Sequence, residues 1–155
     1  MQRRTFIYNM AGLGILSLTD PKELFTTTVA AADNYVIEQF EYKGLAHYSY
    51  TVMADQKVIV IDPQRNPRVY LDYTKKHNAE IVGIIETHPH ADFVSSHLEL
   101  HKYLRVPVYC SSLTKPGYPG TAFDGGNVIK LSAKVVLRSL FTPGHAPDHI
   151  SVVLA

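Results

Sequence analysis

Apolar and polar positions in this chain fall into short runs whose period switches between two and about 3.6, with turn residues at the joins. Tyr35 to Phe40 and Ala46 to Met53 read as β runs joined by the turn-prone Lys43-Gly44. Gln56 to Ile61 reads as a third, stopped by Asp62-Pro63. The period then changes: Val69, Tyr70, Tyr73 and His77 share one helical stripe, which predicts a helix from about residue 67 to 77 with Pro67 tolerated at its start. Glu80-Ile81-Val82-Gly83-Ile84-Ile85 is apolar after its first residue, as a strand covered on both faces would be. A second helix is expected from about 93 to 104, with Phe93, Val94, Leu98 and Leu104 on its apolar face and Leu100 off it. Residues 115–127 are rich in Pro and Gly and read as an irregular loop, with strands expected near 127–131, 134–141 and 149–154. Strands on both sides of each helix predict an α/β layered domain.

Composition narrows the class. In 155 residues, 46% are hydrophobic and 19% charged, which suits one buried core and excludes a disordered chain. A net charge of +1 offers no electrostatic case for nucleic acid or an anionic membrane. The single cysteine, Cys110, excludes an internal disulfide and a Cys-rich zinc site, and reads as a small core residue.

Residues 1–32 are expected to lie outside the domain, which then occupies 33–155. Arg3-Arg4 precede a weakly hydrophobic segment, Phe6 to Leu18, too short to span a bilayer as a mature helix. Val29-Ala30-Ala31-Ala32 supplies an A-x-A-like cleavage point. Gln2-Arg3-Arg4-Thr5-Phe6-Ile7 resembles a twin-arginine export signal, and an ordinary secretory leader is the alternative. The expectation is a periplasmic protein with no stable membrane insertion once the leader is removed, and otherwise a cytoplasmic one.

The chemistry concentrates where the apolar strand ends. Thr87-His88-Pro89-His90-Ala91-Asp92 places two imidazoles and a carboxylate at i, i+2 and i+4, which point the same way in extended chain. Thr142-Pro143-Gly144-His145 again follows an apolar strand, and Gly144 allows the sharp turn that faces His145 toward the first cluster. His88, His90, Asp92 and His145 are therefore the candidate metal ligands, a set that accepts iron or zinc. Asp92 and His90 are the candidate catalytic residues. Asp62 is expected to cap its turn, with a contact to the metal loop left open. His97 and His101 read as solvated or core-edge residues, His149 as a surface residue, and Tyr118 as either a cleft or a packing residue.

Taken together, Ile61-Asp62-Pro63, the string from Glu86 to His97 and Thr142-Pro143-Gly144-His145-Ala146-Pro147 resemble the metallo-β-lactamase superfamily, over about residues 35–155. Within it they are most similar to the persulfide (sulfur) dioxygenase branch, some of whose members are fused to rhodanese domains. The resemblance implies an αββα sandwich, of which this chain would hold the N-terminal half. It also implies one Fe(II) held by His88, His145 and an Asp beyond Ala155, with His90 and Asp92 in the near shell. Phe93 departs from the Asp-His pair of the dinuclear zinc hydrolases and removes a nitrogen donor from a second metal site. The implied reaction oxidises a thiol persulfide, such as glutathione persulfide, to sulfite. The alternatives are a Zn2+-dependent thioester hydrolase like glyoxalase II, and an inactive metal-binding fragment. Oligomeric state is left open.

Overall fold

The computed structural model describes residues 26–32, 34–45 and 47–155. Its elements are strands β1 (Thr26–Ala32), β2 (Tyr35–Tyr42), β3 (His47–Ala54) and β4 (Lys57–Ile61), helix α1 (Arg68–Lys76), β5 (Glu80–Ile85), α2 (His97–Leu104), β6 (Val108–Cys110), β7 (Thr121–Ala122), β8 (Val128–Lys130), β9 (Val136–Phe141) and β10 (Ile150–Leu154). Strands β1 to β7 form one sheet in chain order, antiparallel through β4 and parallel from β4 to β7. Strands β8, β9 and β10 form a second, antiparallel sheet.

Two cores follow from strand alternation. On β4, Val58 and Val60 face the helices while Ile59 and Ile61 face the second sheet, and all four are buried. The helix-side core adds Phe40, Val69, Tyr70, Tyr73, Ile84 and Leu100, with Phe40 set edge-on against Tyr70 and Tyr73. The inter-sheet core adds Ile85, Phe123, Leu131, Leu137 and Ile150. The described residues thus supply a helical layer and two sheets of an αββα sandwich. On the second sheet, Val128 and Leu140 remain half exposed.

Strand β5 carries the main irregularity, a one-residue register shift against β4 between Val58 and Ile59. Val82 packs on the inter-sheet core, and a Cβ on Gly83 would meet Ile59 Cδ1 and Tyr109 Cε2, each at 2.9 Å, on the same side. Glycine is needed there for close approach. Gly83→Ala is expected to destabilise the chain by about 1–3 kcal/mol through overpacking. Urea denaturation measures it, and an unchanged midpoint would mean that the two neighbours give way freely.

Several expectations shift. Helix α1 keeps its place, with Val69, Tyr70 and Tyr73 buried and His77 stacked on Tyr73. Helix α2 begins at His97, not near residue 93. Phe93 instead turns onto the rings of His47 and His90, Val94 is exposed, and Leu100 is the buried residue of the helix. The short pair Thr121–Ala122 adds a strand inside the expected 115–127 loop.

Thr26–Ala32 pairs with β2, so the sheet begins inside the stretch assigned to a leader and spacer. Removal of residues up to Ala32 would leave β2 as the edge. Residues 1–25, with the twin-arginine-like string, lie outside the described residues. Among the described residues no helix is long and apolar enough to cross a membrane.

Candidate metal centre

The site lies where β4 and β5 end side by side. Their parallel register pairs Ile61 with Ile85, and Asp62 N donates to Ile85 O at 2.8 Å. Asp62 is thereby brought against the start of the metal loop. Its Oδ1 accepts from Thr87 N and its Oδ2 from Thr87 Oγ1, both at 2.7 Å. Thr87 Oγ1 is in turn 3.0 Å from His88 Nδ1. Asp62 has a positive φ of 50°, a left-handed turn that an aspartate tolerates. The expected turn residue is the anchor of the loop.

His88 sits among other imidazoles. Ring centroids lie 4.1 Å away for His90, 4.8 Å for His145 and 5.2 Å for His149. The second sheet docks here, since Ile150 N donates to Thr87 O at 3.0 Å. The turn from Thr142 to His149 is closed by Thr142 N to His149 O at 3.0 Å, and His149 Nδ1 lies 3.0 Å from Thr142 Oγ1. Gly144 within that turn has φ +157°, outside the range that L side chains usually adopt. Thr114 Oγ1 donates to the buried carboxylate of Asp148 at 2.7 Å, which ties the turn to the loop after β6.

Asp92 is exposed. The donor atoms of His88, His90, Asp92 and His145 do not form a compact three-ligand set among the described residues. The loop bends at residues 87–88 and 91–93, so the alternation of an extended strand does not carry through it. The set whose ligand atoms lie within 4.8 Å of one another is Asp62, Glu86 and His90. Asp62 is already engaged by Thr87, and Glu86 accepts from Ser95 Oγ at 2.7 Å and lies 3.3 Å from His97 Nδ1. These carboxylates therefore support the imidazoles from behind.

The residues fit a metal ion. His90 Nε2 is buried without a hydrogen-bond partner, 3.4 Å from Asp62 Oδ1, and His47 Nε2 behind it is also buried without one. A buried imidazole nitrogen left unpaired costs about 1–3 kcal/mol, which a cation bound at His90 would offset. Imidazole with carboxylate is a donor set for zinc or non-haem iron.

Electrostatics separates the histidines. Burial, helped by His90, lowers the His88 pKa to about 4, so its ring is neutral and able to ligate near pH 7. Burial also disfavours charge on His90, but the Asp62 carboxylate outweighs it and the pKa is raised. His47 is pushed down by burial and by His90. Burial raises the carboxyl of Glu86 against the pull of His97.

A depressed folded pKa makes stability fall as pH falls. For the metal-free chain, the His88 contribution is present above the usual 6.5 and lost as pH falls from there toward about 4. Thermal melts over that window are expected to drop more steeply for the parent than for His88→Gln. Equal slopes would mean that His88 is not desolvated.

Glu86, His97 and His47 belong to the site's surroundings, although the sequence reading did not single them out as functional. A charged residue ending the apolar run 80–85 was the available signal for Glu86; His47 carried none. His97 leans on Tyr118 with ring centroids 4.8 Å apart, so Tyr118 is partly a packing residue. His101 Nδ1 is bound to Val106 O at 2.7 Å, away from the imidazole cluster. Cys110 is buried and free, as expected of a core residue.

A mixed sheet and a smaller sheet packed face to face, with histidines delivered from strand ends of both, define a two-sheet sandwich with a candidate metal centre at its edge. The chain belongs to the metallo-beta-lactamase superfamily, whose family model matches residues 42–155. It is 29% identical over 108 residues to the cytoplasmic hydroxyacylglutathione hydrolase of Arabidopsis thaliana, covering 68% of this chain and 42% of that protein. The chain thus spans less than half the length of that relative. A metallo-beta-lactamase structure from Staphylococcus aureus superposes with a TM-score of 0.72 at 26% identity, covering 79% of this chain and 39% of the other. ETHE1 from Myxococcus xanthus superposes with a TM-score of 0.70 at 22% identity, covering 76% and 53%.

Proposed function

We propose that this chain carries the N-terminal part of a mononuclear non-haem iron centre that oxidises a thiol persulfide, such as glutathione persulfide, to sulfite. The observation that carries this reading is Phe93. Its ring lies 4.5 Å from His90 and 4.0 Å from His47, so the position after Asp92 presents an apolar face where a second metal would need a nitrogen donor. His88 and His145 would hold the ion, with the remaining carboxylate to be sought in the part of the relatives' length that this chain does not span. Bound iron would supply open positions for the substrate sulfur and dioxygen.

The chain's own residues do the rest. Asp62 orients His90 and the loop, Thr87 holds His88 Nδ1, and Phe93 with His47 keeps water from the back of His90. In the overall reaction the S–S bond breaks, and the outer sulfur leaves as sulfite with two oxygens from dioxygen and one from water. The thiol and two protons are released.

A second reading is a zinc-dependent thioester hydrolase, favoured by the hydroxyacylglutathione hydrolase among the relatives. There Asp92 would serve as base or second-site ligand. Both readings bring a glutathione-borne substrate to the metal, through its sulfur in the first and through its thioester carbonyl in the second. Metal analysis of the purified protein with oxygen uptake on glutathione persulfide separates them. About one iron with oxygen consumption and sulfite release supports the dioxygenase. Two zincs with thioester cleavage and no oxygen uptake replaces it with the hydrolase, and absence of tight metal leaves an inactive fold.

Export to the periplasm is part of the proposal, supported by the Arg3-Arg4 string. N-terminal sequencing of the protein from periplasmic and cytoplasmic fractions tests it: an intact Met1 end in the cytoplasm overturns it.

A further inference from the structure

We propose that Glu86 is a positioning residue for the metal loop, closing the loop at its base through Ser95 and His97 and so holding His88 and His90 in register for a metal ion. The proposal rests on the reading of this loop as part of a metal centre, whichever reaction the metal serves.

Glu86 directly follows β5 and is fixed to the sheet, its N donating to Tyr109 O at 2.9 Å. Its side chain is buried to 6% exposure, an unfavourable place for a carboxylate, where an apolar residue would pack without penalty. The carboxylate reaches across the loop's two ends. Ser95 Oγ donates to Glu86 Oε1 at 2.7 Å and itself accepts from His97 N at 3.3 Å, while His97 Nδ1 lies 3.3 Å from the same Oε1.

The start of α2 is therefore laced to the residue that follows β5, and the stretch from His88 to Asp92 spans the gap. Asp62 pins the entry to that stretch through Thr87, and Glu86 pins its exit. The ring of Tyr118 against His97 backs the exit side. A loop held at both ends loses little further freedom when it takes up a ligand, which raises affinity. This also explains why α2 starts late: Ser95 is engaged with Glu86 instead of continuing the helix.

The test uses Co(II), whose visible absorption reports ligand geometry, on the purified chain and three variants, with affinity measured by chelator competition. Ser95→Ala and Glu86→Ala are expected to bind Co(II) roughly 10–100-fold more weakly, with shifted visible bands. Glu86→Gln keeps an oxygen acceptor for Ser95 and is expected to stay near the parent. Ser95→Ala removes the link without burying a new charge, so it decides the matter if Glu86→Ala does not fold. Parental Co(II) affinity and spectrum in Ser95→Ala, even with a lowered Tm, would make the contact merely structural and overturn the proposal. A parent that binds no Co(II) would instead sink the metal reading and this proposal with it.

Discussion

His88→Ala is expected to weaken metal binding by at least about 100-fold, beyond the 10–100-fold typical of residues that only support ligands. His88 is the ring that His90, His145 and His149 all approach, with centroids 4.1, 4.8 and 5.2 Å away. Its pKa of about 4 leaves it unprotonated at neutral pH, so no proton competes with the metal. Thr87 Oγ1 at Nδ1 leaves Nε2 as the nitrogen available for ligation. Competition with a chromophoric chelator measures the loss, with circular dichroism confirming that the fold is retained. His145→Ala is expected to behave alike, and His101→Ala to match the parent. Affinity within threefold of the parent in His88→Ala would remove His88 from the ligand set.

Asp62→Ala is expected to cost both stability and metal. The carboxylate accepts two hydrogen bonds from Thr87, and hydrogen bonds to charged groups contribute about 1.5–3 kcal/mol each. Their loss leaves Thr87 N without its acceptor and should lower folding stability by about 3 kcal/mol or more. The same change frees the ring of His90, which sits 3.4 Å from Asp62, and should weaken metal binding roughly 10–100-fold. Asp62→Asn retains one acceptor oxygen and is expected to fall between the two. Denaturant melts of metal-free protein and chelator competition read the two effects separately. A variant that loses stability but keeps full metal affinity would restrict Asp62 to the turn role expected of it from sequence.

Much of the fold is written in local pattern. Continuous apolar residues mark β5, and the stripe Val69, Tyr70, Tyr73 marks α1, because burial on both faces or on one stripe leaves a fixed period. The two histidine-bearing loops were visible for a related reason, since potential ligands crowd where buried strands run out. Helix α2 shows the limit of such reading. Phe93 and Val94 fit a helical stripe, yet Phe93 has a better partner in the ring of His47, on β3 and distant in sequence, together with that of His90 in its own loop. Tertiary packing outweighed local periodicity there.

The sequence by itself determined the layered α/β class, the order of most elements and the histidines that could meet a metal. Only the tertiary structure decided which carboxylates support them. Asp62 and Glu86 stand at the ends of two different strands, and only the parallel register of β4 on β5 sets one beside Thr87 and the other beneath the loop. His47 comes from a third strand, β3, and reaches His90 for the same reason. Strand register is a property of the assembled sheet, so the surroundings of a metal loop stay hidden in sequence even where the candidate ligands show.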